Sequence, residues 1–120
     1  MKFNIKVVIE NEQGEIKRED VIQLNKPCDT VNVVGISLSE SKQLLKELQK
    51  TIVLQQAEDF TNSNITCPQC NKKRRIKSHH SMLYRTLFGN ISIPSLRVFK
   101  CTCEDSPTKT YSPLKYWLPR

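Results

Sequence analysis

Four cysteines occur as two short pairs, Cys67-Pro68-Gln69-Cys70 and Cys101-Thr102-Cys103, with a 30-residue excursion between them. Zinc takes four soft thiolates in a tetrahedron with Zn–S of about 2.3 Å, and two tight knuckles brought together by a sheet meet that demand. The spacing therefore predicts one structural zinc ion held by Cys67, Cys70, Cys101 and Cys103. The C-x-C pair is a less usual knuckle than C-x-x-C, so His79 and His80, which lie between the pairs, stand as alternative ligands. The competing use of a C-x-x-C is a redox dithiol, which needs the motif at the start of a helix that follows a strand. Asn71-Lys72-Lys73-Arg74-Arg75 follows instead, without an apolar helical stripe, and this disfavours redox catalysis. The fifth cysteine, Cys28 beside Pro27, has no partner at ligand spacing and reads as a structural or free thiol.

The surroundings of the cysteines are strongly basic. The chain of 120 residues carries a net charge of +7, but residues 1–60 hold eight Lys/Arg against ten Asp/Glu. Residues 61–103 hold eight Lys/Arg and no carboxylate, a local charge of +8. Lys72, Lys73, Arg74, Arg75 and Lys77 follow the first knuckle, then His79 and His80, with Arg85, Arg97 and Lys100 further along. Such a cluster suits phosphate contacts, each of which releases counterions and adds salt dependence to binding. These ten residues are the expected nucleic-acid contacts, the bland alternative being a merely solvated face. Tyr84, Phe88 and Phe99 could stack on bases, though in so small a sheet a core role is favoured. No glycine-rich phosphate loop, no nucleophile–base pair and no carboxylate for a catalytic magnesium ion occurs in the basic half, so no enzyme activity is expected.

The elements that must position these groups are legible as patterns. Phe3, Ile5, Val7 and Ile9 alternate with polar residues, and after a turn at Asn11–Glu15 a looser strand pattern resumes through Ile16, Val21, Ile22 and Leu24, which predicts a hairpin. Ser37 with Glu40 has the form of a capping box, and the Gly- and Pro-free run from Leu38 to Phe60 predicts one long helix with a stripe of Leu45, Leu48 and Ile52, Leu44 at its edge and Val53, Ala57 and Phe60 drifting round it. That stripe suits a core, and because the helix outreaches a two-stranded hairpin, part of it could serve a homodimer through residues 38–60. Polar Thr61 to Thr66 marks a boundary, giving regions 1–62 and 63–120. Ser81–Phe88 and Ile91–Cys101 read as strands around a Gly89-Asn90 turn, with Phe88 facing Ile91, Thr86 facing Ile93 and Tyr84 facing Ser95. Pro94, lacking an N–H, places its strand at an edge or bulge. The expected fold is α+β, a hairpin and long helix followed by a C-terminal zinc ribbon, whose folding energy would come from metal binding, about 10–16 kcal/mol for zinc-finger peptides.

The longest apolar run, Val31 to Leu38, is interrupted by Asn32 and Ser37 and falls short of the roughly 20 residues that cross a bilayer. The N-terminus has a charge inside its apolar stretch and no small-residue cleavage site. A cytoplasmic protein without membrane contact is the expectation.

The order of Tyr84-Arg85-Thr86-Leu87-Phe88-Gly89, Ile91-Ser92-Ile93-Pro94-Ser95-Leu96-Arg97, Cys101-Thr102-Cys103, Thr110-Tyr111-Ser112-Pro113-Leu114 and Trp117-Leu118-Pro119 resembles the N-terminal region of bacterial insertion-sequence transposases of the ISKra type, over residues 66–119. The resemblance implies zinc at the four cysteines and recognition of the element's DNA ends by the basic ribbon. It also implies that the acidic catalytic domain follows in the family and is missing from this chain, so that the chain alone would not transpose DNA. A zinc-stabilised protein-interaction or regulatory module without DNA specificity is the alternative function.

Overall fold

Asn11 closes the first hairpin with its side chain. Its Oδ1 accepts hydrogen bonds from the backbone N–H groups of Gln13 (3.0 Å) and Glu15 (2.8 Å), while Gly14 takes the positive φ of 83° that the turn requires. The strands so joined are β1 (Lys2–Glu10) and β2 (Ile16–Asn25), antiparallel, with Ile5 opposite Ile22 and Phe3 opposite Leu24. A bulge between the Ile5–Ile22 and Lys6–Asp20 pairs leaves Val21 as the extra residue. The loose pattern of β2 is explained by it, because the adjacent apolar pair Val21 and Ile22 breaks strict alternation and the bulge absorbs the break. The computed structural model describes residues 1–27, 34–101, 103 and 109–117; Cys28, the first three residues of the Val31 to Leu38 run, Thr102 and the Leu118-Pro119 pair lie outside them.

Helix α1 (Leu38–Asn64) starts at the capping box expected of Ser37 and Glu40. The Glu40 backbone N–H donates to Ser37 Oγ (3.1 Å), and the Ser37 N–H donates to Glu40 Oε1 (3.0 Å). Lys26 Nζ donates to the same carboxylate at 2.6 Å. At its far end the helix runs four residues past Phe60. Thr61, Asn62, Ser63 and Asn64 are poor helix formers, but here tertiary partners decide. The Asn64 carbonyl accepts from Tyr111 Oη (2.8 Å) and Arg74 Nη1 (3.3 Å), and Asn64 Nδ2 donates to the Phe60 carbonyl (2.8 Å). The Arg74 cation also complements the negative helix terminus. No helix among the described residues is long and apolar enough to cross a membrane.

The chain forms two units, Met1–Ile52 and Val53–Arg120, and α1 begins in the first and ends in the second. In the first, Leu24 is the buried apolar residue among those described, while Leu45 and Ile52 of the expected stripe are each 41% exposed. The buried helical face lies further on, at Val53, Ala57 and Thr61. In the second unit a three-stranded sheet has the order β3 (Ile76–Thr86), β4 (Gly89–Phe99), β5 (Thr110–Tyr111), followed by the short helix α2 (Pro113–Trp117). Its core is Val53, Ala57, Ile91, Ile93 and Leu114, with Met82, Tyr84 and Phe60 against it and Trp117 stacked on Phe60 at 4.9 Å. At Pro94 only β3 pairs with β4, since β5 joins at Val98 and Phe99, and the missing N–H leaves no gap in a ladder. The described chain is thus α+β: a two-stranded hairpin, one long helix, then a C-terminal sheet beside a cysteine cluster.

The β3–β4 turn differs from the expectation. It consists of Leu87-Phe88, not Gly89-Asn90, and Tyr84 pairs with Ile91 and Met82 with Ile93. This register sets two apolar cross-strand pairs on the core face, where the expected one would have set Thr86 against Ile93. Thr86 closes the turn by donating Oγ1–H to the Gly89 carbonyl (2.6 Å) and accepting from the Phe88 N–H (3.2 Å). Gly89 supplies the positive φ, 125°, at the first residue of β4. Phe88, expected in the core, is 41% exposed in consequence.

The capping carboxylate carries a pH signature. The Lys26 ammonium, the Ser37 backbone N–H and the Ser37 hydroxyl lower the Glu40 pKa to about 2. A group depressed in the folded state contributes stability that is complete above its unfolded value, about 4.3, and is lost as pH falls through the folded value. Titration of the Glu40 carboxyl carbon by NMR is expected to show a midpoint near 2. Lys26→Met should raise that midpoint, and an unshifted midpoint would remove Lys26 as the principal cause.

Candidate metal centre

The first knuckle is built by its own backbone. The Cys67 N–H donates to the Lys72 carbonyl (2.9 Å) and the Asn71 N–H to the Cys67 carbonyl (2.9 Å), with Asn71 in the left-handed region at φ 59°. Asn is among the few side chains that tolerate this conformation. The knuckle is tied down by the Arg74 N–H, which donates to the Ile65 carbonyl (2.7 Å), and by a bridge between Thr66 and Lys73. The second pair arrives from β4. Phe99 N–H donates to the Arg75 carbonyl (2.9 Å) and Lys100 N–H to the Lys109 carbonyl (2.8 Å), so the chain delivers Cys101 beside the first knuckle.

The result is a cluster of four Sγ atoms all within 4.8 Å of one another. Cys67 and Cys103 are 3.4 Å apart, Cys70 and Cys101 3.2 Å, and Cys101 and Cys103 3.2 Å. A tetrahedron with metal–sulfur bonds of about 2.3 Å has edges of about 3.8 Å, which falls inside this range. All four are free thiols, at separations well beyond the roughly 2.05 Å of a disulfide. Cys67 is fully buried and Cys103 exposed, so the site has a closed side and an open one.

The thiols do not ionise alike. Hydrogen bonds from the Cys70 and Gln69 backbone N–H groups bring the Cys67 pKa down to about 6, against the opposing effect of burial. The Cys103 backbone N–H and then the Cys70 thiol lower Cys101. Cys103 is raised, first by Cys101 and then by Cys67. For Cys70 the Lys72 backbone N–H acts to lower the pKa, but Cys101, burial and Cys67 together outweigh it and the thiol is raised. Two thiolates formed at this spacing keep their neighbours protonated, and a cation at the centre reverses that relation by stabilising all four as anions. Four convergent thiols can hold a metal ion, and among the described residues the ligands they offer are all soft.

His79 and His80 are not members of the cluster. They stand on β3 opposite Leu96 and Ser95, and His80 Nε2 shares a 2.7 Å hydrogen bond with Ser78 Oγ. Eight of the ten basic residues fall into two groups. Lys72, Lys73, Arg74, Arg75 and Lys100, with Phe99 and Cys101, line one depression of about 160 Å3 beside the cysteines. Lys77, His79 and Arg85 are exposed along β3. Within the first group Arg74 is engaged by the fold, bonding Tyr111 Oη and the Asn64 carbonyl with its guanidinium over the Tyr111 ring. Arg75 lies over Phe99 at 5.3 Å, and Arg97, half-buried, donates from Nε to Thr110 Oγ1 (3.0 Å). Two residues that matter here escaped the sequence reading. Asn71 could have been found as a left-handed residue after a C-x-x-C, whereas nothing local marks Tyr111 as the partner of Arg74.

No family model, curated protein or solved structure matches the chain.

Substituting Cys67→Ser removes the buried ligand, and metal affinity is expected to fall by more than about a hundredfold. Chelation should unfold the second unit ahead of the first hairpin, since binding free energy is folding free energy in such sites. Hydrogen exchange of β4 amides with and without chelator checks this; unchanged protection would remove the structural role of the metal.

Proposed function

We propose that the four cysteines hold one structural zinc ion in a ribbon, and that this ribbon binds DNA as the recognition part of a transposase, probing element ends rather than cutting them. The observation that carries the reading is the coincidence of a four-thiol cluster with a depression lined by Lys72, Lys73, Arg75 and Lys100 in a stretch without a carboxylate. Zinc is favoured among metals because an all-thiolate tetrahedral set is its usual structural environment. DNA is favoured as partner because a metal-clamped turn fixes these cations in place, and a rigid cationic hollow matches a phosphate backbone better than a mobile acidic side chain. The resemblance in the Tyr84–Gly89 and Thr110–Leu114 segments supports the transposase context. Cytoplasmic residence follows from the same reading, since free thiols and DNA both belong to a reducing compartment. The reading assigns strand cutting to no residue of this chain.

Metal analysis is expected to give one zinc per chain. Duplex binding followed by fluorescence anisotropy should weaken steeply with salt, and Lys72→Ala with Lys73→Ala should lower the slope of log K against log salt by about 2. Binding insensitive to salt, or none with zinc bound, overturns the DNA reading.

A second reading is favoured by one observation: Leu45 and Ile52 of α1 are each 41% exposed. They stand seven residues apart, at heptad spacing on one stripe, and this supports a homodimer through helix residues 38–60. Sedimentation of the full chain should report a dimer that Leu45→Glu with Ile52→Glu converts to monomer. A monomeric parent chain overturns the dimer and leaves the DNA reading standing.

A further inference from the structure

The tip of the β3–β4 hairpin is built the wrong way round for a solvent-facing turn. Leu87 is 98% exposed and Phe88 41% exposed, although Gly89-Asn90, the dipeptide suited to a turn, is next in sequence. Scattered apolar residues are ordinary on protein surfaces, and Leu87 alone would carry nothing. The pair differs because the register that buries Ile91 and Ile93 forces it out, and because Thr86 spends its hydroxyl on closing the turn on both sides. The tip is therefore a fixed projection. Behind the closing Thr86–Gly89 pair, the next pair, Arg85 opposite Asn90, is exposed and polar.

The charge of the segment says what such a projection could meet. No carboxylate occurs from Thr61 to Cys103, so the surface is complementary in charge to a polyanion. The apolar surface that a polyanionic nucleic acid offers is the faces of its bases, and Leu and Phe are among the side chains that wedge between base steps and unstack them. We infer that Leu87 and Phe88 form a wedge that enters the base stack of duplex DNA, with Arg85 holding the adjoining phosphate. The inference rests on the DNA reading above and adds a mode to it: the protein deforms the duplex it binds, so deformable pyrimidine–purine steps are preferred over stiff A-tracts.

The test uses the zinc-loaded full chain and short mixed-sequence duplexes carrying 2-aminopurine, whose fluorescence rises when its base is unstacked. Saturating protein is expected to raise that fluorescence several-fold. Leu87→Ser with Phe88→Ser should abolish the rise and weaken binding about tenfold, the scale of one lost base–side-chain stack, while the salt slope stays as it was. Lys72→Ala with Lys73→Ala, in contrast, should lower the slope and keep the rise at saturation. Binding without any fluorescence rise, or a rise that survives the double serine change, overturns the wedge and leaves phosphate binding intact. Wedge residues that instead serve a protein partner would give the first of these results. Failure of the parent chain to bind duplex at all overturns the wedge together with the DNA reading.

Discussion

Two backbone hydrogen bonds on neighbouring residues govern the geometry of the C-terminal unit. The Arg74 N–H reaches the Ile65 carbonyl and the Arg75 carbonyl receives the Phe99 N–H. The first bond holds the strand that leaves the first knuckle against the strand that enters it. The second holds the end of β4 against the same short stretch. Cysteines more than thirty positions apart in sequence thereby meet within 4.8 Å. The same two residues send their guanidinium groups onto Tyr111 and Phe99, so backbone and side chains of one dipeptide serve the sheet, the helix end and the cysteine cluster at once.

That economy goes with a small core. Its fully buried side chains are few, Ile93, Leu114, Val98 and Cys67 being the largest. A core of this size supplies little margin against chain entropy, which is the usual reason small domains carry a staple. The thiols alone are not a staple. Backbone N–H groups favour the thiolate of Cys67 and of Cys101, and the resulting charge disfavours ionisation of Cys103. The four thiols are thus placed where a cation could stabilise them together as anions.

Patterns that depend on neighbours in sequence were legible. The Ser37–Glu40 box, the Asn11 turn, the two hairpins and the two cysteine pairs all follow from spacing, because in each case the atoms that interact are fixed by short stretches of backbone. What depended on tertiary partners was not. The helix passes Phe60 because Tyr111 and Arg74 satisfy the Asn64 carbonyl, and the β3–β4 turn shifts because Tyr84 and Met82 are worth more opposite Ile91 and Ile93 than Gly89-Asn90 is worth as a turn. The stripe at Leu45 and Ile52 shows the same limit from the other side. Helical period identifies an apolar face, but only a partner element makes it a core, and in this chain the sheet meets the later residues Val53 and Ala57.

Charge is the property most easily misread from sequence, because a cation counted is not a cation presented. Of the ten basic positions around the cysteines, Arg74 is drawn into the helix end and Tyr111, and Arg97 into Thr110. Arg75 keeps its charge outward but pins its plane on Phe99. These contacts cost the surface some of its formal charge and remove conformational freedom from what remains. For any anionic ligand the two effects would oppose each other: fewer of its charges could be met, but each by a group that loses less entropy in doing so. A flexible lysine-rich tail gains affinity from number alone. A surface whose arginines also hold the fold couples its charge to the integrity of the cysteine cluster, so that losing the cluster would scatter the cations without changing their number.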